Sequence, residues 1–405
     1  MRKLYEISAD YNLISNRNNF AKTVILGKID GLLSNLSKTF SNKKIEVVME
    51  EGDFGFFGAA VLEPLKSNGV DVALILTEET DFHYTAVKNS FSNKVSGVIA
   101  VGGNTLLSAV RYYSSLNGVE AYAIPTTPYL EEILDSKVNL KTDSLPAVLE
   151  AKPFEKIFID ESVILKAKDR TFAKSYISVM SKLTALIDYK INCFLSGSKV
   201  DSEVFLLTKR AINVLAALTS YENYKSAILG AQLILSSLAF DRAFDGSGVE
   251  VIKTCLLAFT KGVSSGKRLL VAFEKTAKLY HLFFSNDLSD LLSVPDYESD
   301  LAMLELETGH ERAFFYKNLQ IPSEKRRILI NALISKTRDD FKKETTIILS
   351  VLPSVIKIYN KLYVVNEKAI SYKQIKNAVS LGSYLTDKTS VLTLCRDEGI
   401  LKCAN

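Results

Sequence analysis

The chain has 405 residues, of which 47% are hydrophobic and 24% are charged. This balance is typical of compact globular proteins and excludes general disorder. A formal net charge of +4, from 50 basic and 46 acidic residues, is too small for a surface that grips a nucleic-acid backbone. The length exceeds the usual size of one hydrophobic core, so two domains are expected.

The cysteine pattern and the apolar runs bear on the compartment. The four cysteines are scattered without CxxC spacing, and no secretory apolar segment follows Met1. The apolar stretch Leu269–Phe284 is interrupted by Glu274, Lys275 and Lys278, so it is not expected to span a bilayer. These features predict a reduced, cytoplasmic protein with neither membrane nor nucleic acid as a partner.

Up to about residue 160, short β-branched runs alternate with amphipathic stretches. This alternation predicts a doubly wound parallel sheet with helices on both faces. The expected strands are Val24–Leu26, Ile45–Met49, Val72–Thr77, Val98–Val101, Glu120–Ile124 and Lys156–Ile159. The expected helices between them include Phe57–Asn68, Tyr84–Asn93 and Leu106–Leu116.

Beyond residue 160, apolar residues recur at three- and four-residue spacing, which predicts an all-helical second domain. The expected helices are Thr171–Phe194, Ser202–Leu218, Tyr224–Phe240, Val249–Phe259, Ser265–Phe284, a group within Ser323–Leu362, and Tyr372–Leu385. Pro146 and Pro153 suit a connecting segment before the boundary. We expect an α/β domain over residues 1–163 and a helical domain over residues 164–405.

A strand, a glycine turn and a helix follow one another in Val98–Arg111. Gly102 and Gly103 carry no Cβ, so their backbone N–H groups can approach a phosphate closely. The helix expected to begin near Thr105 adds the positive end of its dipole, and Asn104 and Thr105 are candidate cofactor-binding residues. This combination can cradle a diphosphate, and the alternative is a plain tight turn between strand and helix.

Two further signals come at the ends of expected strands. Thr126 and Thr127 follow a strand and can bond the ribose or phosphates of a cofactor, or they satisfy local backbone groups instead. Glu50 ends another strand with a carboxylate of the kind that accepts hydrogen bonds from ribose hydroxyls. Glu51 and Asp53 stand beside it as rival candidates.

An acid-ended strand, a Gly-Gly-Asn-Thr turn and an intact Pro125-Thr126-Thr127 occur in this order. They resemble the superfamily that joins iron-containing and polyol dehydrogenases, glycerol-1-phosphate dehydrogenases and dehydroquinate synthases. The family has Gly-Gly-Gly-Thr at the turn, then Asp and Lys, where this chain has Ser108 and Arg111. The resemblance implies a Rossmann-like domain that binds NAD or NADP, then an all-helical domain, in a dehydroquinate synthase-like architecture.

The helical half is similar to the glycerol-1-phosphate dehydrogenase branch in several places. Ala173–Lys190 resembles a helix that carries Gly-Leu-Gly-Asp, then Lys and an Ala-Asp-Trp-like ending. Gly246–Val249 resembles Gly-Ser-Glu-His, and Ser264–Gly266 resembles a His-Gly pair. Lys388–Leu394 with Glu398–Leu401 resembles the end of that branch. The family commonly associates through its N-terminal domain, so the resemblance also implies a homodimer.

In the family, an Asp and two His residues hold a divalent metal between the domains. The corresponding positions here are Ser178, Val249 and Ser265. A neutral hydroxyl is a poor ligand and Val is none, so we expect no zinc or iron site from these residues. The resemblance therefore implies a nucleotide cofactor, a small phosphorylated ligand and no metal.

The remaining candidate groups are histidines and lysines. His83, His281 and His310 lie far apart in sequence, and we interpret them as a loop residue, a half-buried helix residue and a surface helix end. Six cations lie on segments that face the cleft in the family: Lys182, Lys190, Lys253, Lys261, Lys267 and Arg268. They can stabilise a developing alkoxide or bind a phosphate, or they are simply solvated. Lys253 and Lys267 are the candidate catalytic groups.

Three hypotheses remain open. The first is an NAD(P)-binding dehydrogenase that acts on a phosphorylated polyol or sugar-like substrate between the domains. The second is a catalytically degenerate relative that serves as a binding or scaffolding subunit, as the loss of three metal-ligand positions suggests. The third is a metal-independent cyclase or lyase that uses the lysines.

Overall fold

The computed structural model describes residues 24–77, 95–131, 133–134, 137–142, 145–216, 224–238, 244, 246–285, 297–316, 324–363, 367–385, 388–397 and 401. Strands dominate the first part of the chain and helices the rest, so the expected fold class is confirmed. None of the helices in these ranges is both long enough and apolar enough to cross a bilayer.

A six-stranded parallel sheet forms the first part of the fold. Its strands are β1 (Val24–Leu26), β2 (Lys44–Glu50), β3 (Asp71–Thr77), β4 (Gly97–Gly102), β5 (Glu120–Pro125) and β8 (Lys156–Ile159), in the spatial order β1-β8-β5-β4-β2-β3. Strand β4 is buried throughout and consists of a continuous apolar run, which is typical of a central strand in a parallel sheet. Its register places Met49 of β2 beside Val101 and places Gly102 beside Pro125 of β5.

Three helices connect these strands within the described residues. They are α1 (Ile29–Thr39), α2 (Glu51–Ser67) and α3 (Asn104–Asn117). The apolar faces of α1 and α2 join the sheet in a core that includes Leu33, Phe40, Val61, Ile99 and Tyr122. The core therefore fixes where each strand ends, and with it the edge that carries the candidate site.

All six expected strands form, each within one residue of the expected bounds. Helix α2 begins at Glu51, six residues earlier than expected from Phe57, and Glu51 and Asp53 in its first turn suit a helix N-terminus. The expected helix Tyr84–Asn93 lies outside the described residues.

The expectation of a connecting segment around Pro146 was wrong. A two-stranded sheet forms there from β6 (Lys137–Thr142) and β7 (Leu145–Glu150). Proline lacks the N–H that a ladder uses, but it is tolerated near the start of a strand that has one partner.

Helices make up the rest of the described chain. They are α4 (Glu161–Ile164), α5 (Asp169–Ser196), α6 (Ser202–Ala216), α7 (Tyr224–Ser236), α8 (Gly248–Phe259), α9 (Ser265–Ser285), α10 (Tyr297–Thr308), α11 (Arg312–Tyr316), α12 (Glu324–Leu362), α13 (Tyr372–Leu385) and α14 (Val391–Asp397). The seven helices expected from periodicity all form, because their apolar spacing matches a helical face.

The described residues group into two compact units. One falls within Met1–Thr142, Ala147–Ser175 and Asn213–Arg242, and the other within Asp143–Pro146, Tyr176–Ile212 and Ala243–Asn405. The first unit thus includes both the sheet and α7, although α5 and α6, which lie between them in sequence, fall largely in the other unit. The division at residues 163 and 164 stays a prediction.

Asp160, at the end of β8, ties two helix starts to the sheet. One of its carboxylate oxygens accepts the N–H of Ile29, the first residue of α1, at 3.0 Å. The other accepts the N–H of Ser162 in α4 at 2.9 Å. Burial raises the pKa of Asp160, but these hydrogen bonds and Lys28 at 3.5 Å outweigh it and hold the pKa below its usual value.

Asp160→Asn is expected to lower the free energy of unfolding by about 1–2 kcal/mol at pH 7, because one of the two helix starts loses its acceptor. Since the pKa of Asp160 is lowered in the folded protein, its contribution is present above about pH 4 and is lost as the pH falls through that pKa. Urea unfolding at several pH values measures both effects. Asp30→Asn, at an exposed position in the first turn of α1, is the control. Equal stability of the two variants at pH 7 would contradict the prediction.

Candidate functional site

The sheet has a topological switch point between β2 and β4. From β2 the chain moves out to the edge strand β3 and then returns to β4 on the opposite side of β2. Glu50 and Gly102 lie at the carboxyl ends of these two neighbouring strands. Open α/β sheets bind their ligands in the crevice outside such strand ends, so this edge is the candidate nucleotide site.

The glycine turn at this edge is tightly packed. Gly102 ends β4, and Gly103 precedes the first residue of α3 in extended conformation, without a side-chain cap of its own. A Cβ at Gly102 would lie 2.8 Å from the side chain of Leu106 and 3.3 Å from that of Glu50. At Gly103 the nearest atom to such a Cβ would be the Thr127 methyl group at 3.5 Å. Close packing therefore favours glycine at 102, while position 103 has more room.

Glu50 reaches the turn itself. Its Oε1 accepts a hydrogen bond from the backbone N–H of Gly103 at 3.3 Å. The carboxylate thus binds the same backbone amide that the sequence analysis expects to bind a diphosphate, at the positive end of α3. A phosphate can bind this amide only when Glu50 releases it.

The threonine loop lies beside the turn, as expected. Thr126 is buried, its N–H donates to the carbonyl of Gly102 at 3.1 Å, and its hydroxyl donates to Asp53 at 2.7 Å. Thr127 is half-buried next to Gly103. The structure therefore brings Glu50, Asp53, both glycines and both threonines to one edge. There Asp53 accepts a hydrogen bond from the hydroxyl of Thr126.

Asn104 and Thr105 form the first turn of α3. Asn104 is half-buried, whereas Thr105 is exposed. Their backbone amides belong to the helix N-terminus, where the first N–H groups lack partners within the helix. Their role as cofactor-binding residues stays a prediction.

The residues that stand at the family's Asp and Lys positions are buried in this chain. Ser108 is 5% exposed and Arg111 is 1% exposed. The guanidinium of Arg111 donates to the carbonyl of Ile133 at 3.2 Å and to that of Lys137, and it lies 5.8 Å from the Phe154 ring. Arg111 thus fixes the chain between β5 and β6.

The positions that correspond to the family's metal ligands lie in the helical part. Ser178 and Val249 are fully buried, and Ser265 is half-buried at the first residue of α9. A buried valine offers no donor atom, so these residues do not fit a zinc or iron ion. Among the described residues, no group of three His, Cys, Asp or Glu side chains is placed to hold a metal. The expectation of no resident metal stays a prediction.

Asp188 is a buried hydrogen-bond centre that contacts Gly248, the residue before Val249. Its two oxygens accept the N–H of Gly248 at 2.9 Å, the N–H of Val391 at 3.2 Å and the hydroxyl of Tyr280. Gly248 and Val391 are the first residues of α8 and α14, so one carboxylate caps two helices. Burial raises the pKa of Asp188 to about 7, and the hydrogen bonds from Tyr280, Gly248 and Val391 oppose that shift.

Glu367 caps the start of α9 in a similar way. Its carboxylate accepts the N–H of Ser264 at 3.1 Å and the hydroxyl of the same residue at 3.2 Å, and it also accepts the hydroxyl of Tyr363. The Ser264 hydroxyl oxygen in turn accepts the N–H of Lys267 at 3.1 Å. The segment around Ser265 is therefore fixed by the chain's own acid.

The candidate catalytic lysines are half-buried. The ammonium of Lys253 forms an ion pair with Glu250, one helical turn earlier in α8. Lys267 lies in the first turn of α9, and its role stays a prediction. An ion pair between side chains one turn apart stabilises a helix. Lys253 can therefore contact a ligand only if its ion pair with Glu250 breaks.

The histidines stay apart. His281 is half-buried in α9, with its Nε2 3.5 Å from the hydroxyl of Ser285. The ring of His310 packs 5.1 Å from that of Phe314. His83 lies outside the described residues.

Sequence reasoning missed three polar residues that organise these regions: Asp188, Gln232 and Glu367. Asp188 and Glu367 are common residue types in ordinary helical or loop patterns. Only Gln232 carried a signal, because an amide interrupts the apolar run of α7. Each gains its meaning from partners distant in sequence.

Three sets of known proteins resemble this chain. The family model described as iron-containing alcohol dehydrogenase matches residues 22–167. The glycerol-1-phosphate dehydrogenase (NAD(P)+) of Pyrococcus furiosus is 26% identical over 240 residues, which cover 56% of this chain and 62% of that protein. The enzyme of the same name from Pyrococcus horikoshii is 28% identical over 192 residues, which cover 44% of this chain and 52% of that protein. The chain thus spans less than two thirds of the length of these relatives.

Solved structures share the fold. An archaeal halo-thermophilic alcohol dehydrogenase from a Red Sea brine pool superposes with a TM-score of 0.62 at 11% identity, covering 95% of this chain and 97% of that one. The iron-containing alcohol dehydrogenase of Thermotoga maritima gives a TM-score of 0.56 at 14% identity, with coverage of 95% and 97%.

The switch-point architecture of the sheet and these similarities indicate the same class of protein. Residues 22–167 match the family of iron-containing alcohol dehydrogenases, and the chain shares the fold of solved iron-containing alcohol dehydrogenases. Over about half of its length the chain is similar to glycerol-1-phosphate dehydrogenases.

Asp188→Asn is expected to lower the free energy of unfolding by about 1–3 kcal/mol, because the amide nitrogen of Asn must face the N–H of either Gly248 or Val391. Chemical denaturation at about pH 8.5, above the pKa of about 7 for Asp188, measures this loss with the group as a carboxylate. Asp201→Asn is the matched control, since Asp201 accepts the backbone N–H of Glu203 at 2.8 Å at the start of α6, and Asn caps helices equally well. An Asp188→Asn protein as stable as the control would show that the carboxylate does not hold these helices.

Proposed function

We propose that this chain binds NAD or NADP at the edge formed by β2, β4 and β5, and that it acts as an oxidoreductase on a phosphorylated polyol. The observation that carries the proposal is the contact between Glu50 and Gly103 at the switch point, where an acid and a side-chain-free helix start meet. The dinucleotide supplies hydride transfer when it is bound.

The residues at this edge fit the cofactor by their chemistry. The backbone at Gly103, Asn104 and Thr105 belongs to a helix N-terminus and suits a diphosphate. Glu50 suits a ribose diol, and Thr127 offers a half-buried hydroxyl beside the turn. Binding requires Glu50 to exchange the N–H of Gly103 for the ribose hydroxyls, which keeps its carboxylate hydrogen-bonded in both states.

The proposed substrate class rests on the names of the similar proteins and on two positively charged side chains. The relatives at 26% and 28% identity are glycerol-1-phosphate dehydrogenases by name. Lys253 lies in the second turn of α8 and Lys267 in the first turn of α9, and we assign both cations to the phosphate or the developing alkoxide of the substrate.

Glu50→Gln is expected to weaken NADH binding about tenfold, because a charged acceptor for two ribose hydroxyls is lost, at about 1.4 kcal/mol. Affinity for the 2′-phosphorylated cofactor falls less, since the variant lacks the charge that repels the extra phosphate. Titration of NADH and NADPH fluorescence measures both affinities. Glu51→Gln, at the exposed neighbouring position, is the control. Failure of the wild-type chain to bind either cofactor at millimolar concentration would overturn the proposal.

A second function, nucleotide binding without turnover, is favoured by a specific observation. Three helix starts that the resemblance links to cofactor and metal are each met by a carboxylate of the chain itself. These are α3 with Glu50, α8 with Asp188 and α9 with Glu367, through Ser264. With Val249 at a ligand position, this pattern suits a binding or scaffolding subunit.

The two functions differ in their response to metal. We expect that a chelator leaves NADH affinity and melting temperature unchanged, because Ser178, Val249 and Ser265 do not fit a metal. NADH titration and thermal unfolding, each with and without chelator, measure this. Turnover of a polyol phosphate that disappears with chelator would contradict the expectation and the binding-only function. Metal-independent turnover that is lost in Lys253→Ala or Lys267→Ala would instead support a lyase- or cyclase-like role.

A further inference from the structure

Gln232 is a fully buried amide in the middle of α7. Its Oε1 accepts the N–H of Leu130 at 3.1 Å. Its Nε2 donates to the carbonyl of Ser175 in α5 at 3.0 Å and to the carboxylate of Glu131 at 3.1 Å. One side chain thus joins two helices to the segment that follows the threonine loop.

The surroundings of Gln232 explain why these bonds matter. Its neighbours in α7 are buried apolar residues, among them Leu229, Ala231, Leu233 and Ile234. A buried amide without partners costs several kcal/mol, whereas an amide with both donors and its acceptor engaged is tolerated. The amide is therefore held in one orientation, with the acceptor toward Leu130.

The segment that Gln232 holds continues directly from Thr126 and Thr127. At its start, Thr126 is fixed to Gly102 and Asp53. At its end, Leu130 and Glu131 are fixed to Gln232, and the ammonium of Lys174 lies 3.8 Å from the ring of Tyr129. The position of Thr127 beside Gly103 therefore depends on an anchor at each end.

We propose that Gln232 is a positioning residue for the nucleotide edge: it holds the segment Thr126–Glu131 so that Thr127 stays beside Gly103. The inference rests on the proposed binding of NAD(P) at this edge. Gln232 does not touch the cofactor in this arrangement and acts only through Leu130 and Glu131.

Gln232→Glu tests the proposal with a nearly isosteric change. The new carboxylate can still accept the N–H of Leu130, but it donates nothing to Ser175 and repels Glu131. Adding Glu131→Gln restores a donor opposite the new acid, so the double variant should regain much of the lost order. Glu131→Gln alone should be nearly neutral, because its amide oxygen can accept from Gln232.

Two readouts separate this inference from the proposed function. Amide hydrogen exchange over residues 126–131 in the free protein reports the position of the segment without any ligand. NADH titration reports the effect on the cofactor edge. In Gln232→Glu we expect at least tenfold faster exchange at Leu130 and at least fivefold weaker NADH binding, and the double variant should recover at least half of each loss on a logarithmic scale.

Gln374→Glu is the matched control, since Gln374 also donates its amide to a main-chain carbonyl, that of Phe259 at 2.6 Å, outside the segment. It should change neither readout, and thermal unfolding of every variant confirms that it is folded. If Gln232→Glu does not fold alone, the double variant and Gln232→Met replace it in the same measurements.

The outcomes are distinct. Unchanged exchange in Gln232→Glu overturns the inference, and so does faster exchange with unchanged NADH affinity. If the wild-type chain binds no cofactor and Gln232→Glu still exchanges faster at Leu130, the proposed function is overturned. Gln232 is then only a structural anchor for the segment. Faster exchange at Leu130 together with weaker NADH binding in Gln232→Glu, and recovery of both in the double variant, supports the inference.

Discussion

The fold depends on carboxylates that accept hydrogen bonds from the first N–H groups of helices. Asp160 joins the starts of α1 and α4, and Asp188 joins those of α8 and α14. Each acid gains from the helix dipole as well as from the bonds, which offsets part of the cost of its burial. Because a helix start is also the place where anions bind, the same interaction shapes the candidate site.

At the sheet edge, an internal acid and the expected ligand compete for the same group. Glu50 occupies the amide of Gly103, so the proposed dinucleotide displaces one internal hydrogen bond. At the positions of the family's metal ligands, a buried Val249 offers no donor atom. The proposed nucleotide binding therefore does not depend on a metal at these positions.

Much of the candidate site could be predicted from the sequence. Gly102 and Gly103 come at the end of one apolar strand, and Thr126 comes after another. Because the carboxyl ends of parallel strands lie at the same edge of a sheet, these residues are expected at one edge. The hydrogen-bond partners could not be predicted in this way. Arg111 illustrates the difference, because the sequence shows only that it stands where the family has Lys, whereas its guanidinium donates to the carbonyls of Ile133 and Lys137.

Periodicity and residue type are local properties, so the alternation of strands and helices, the glycine turn and the residues available at the metal positions can be read from the amino-acid sequence. Which acid meets which helix start depends instead on the packing of the folded chain. Asp188 reaches Val391 across 203 residues, and Gln232 reaches Leu130 across 102. Such pairings depend on how whole helices pack, and a buried polar group takes whichever partner that packing brings within reach.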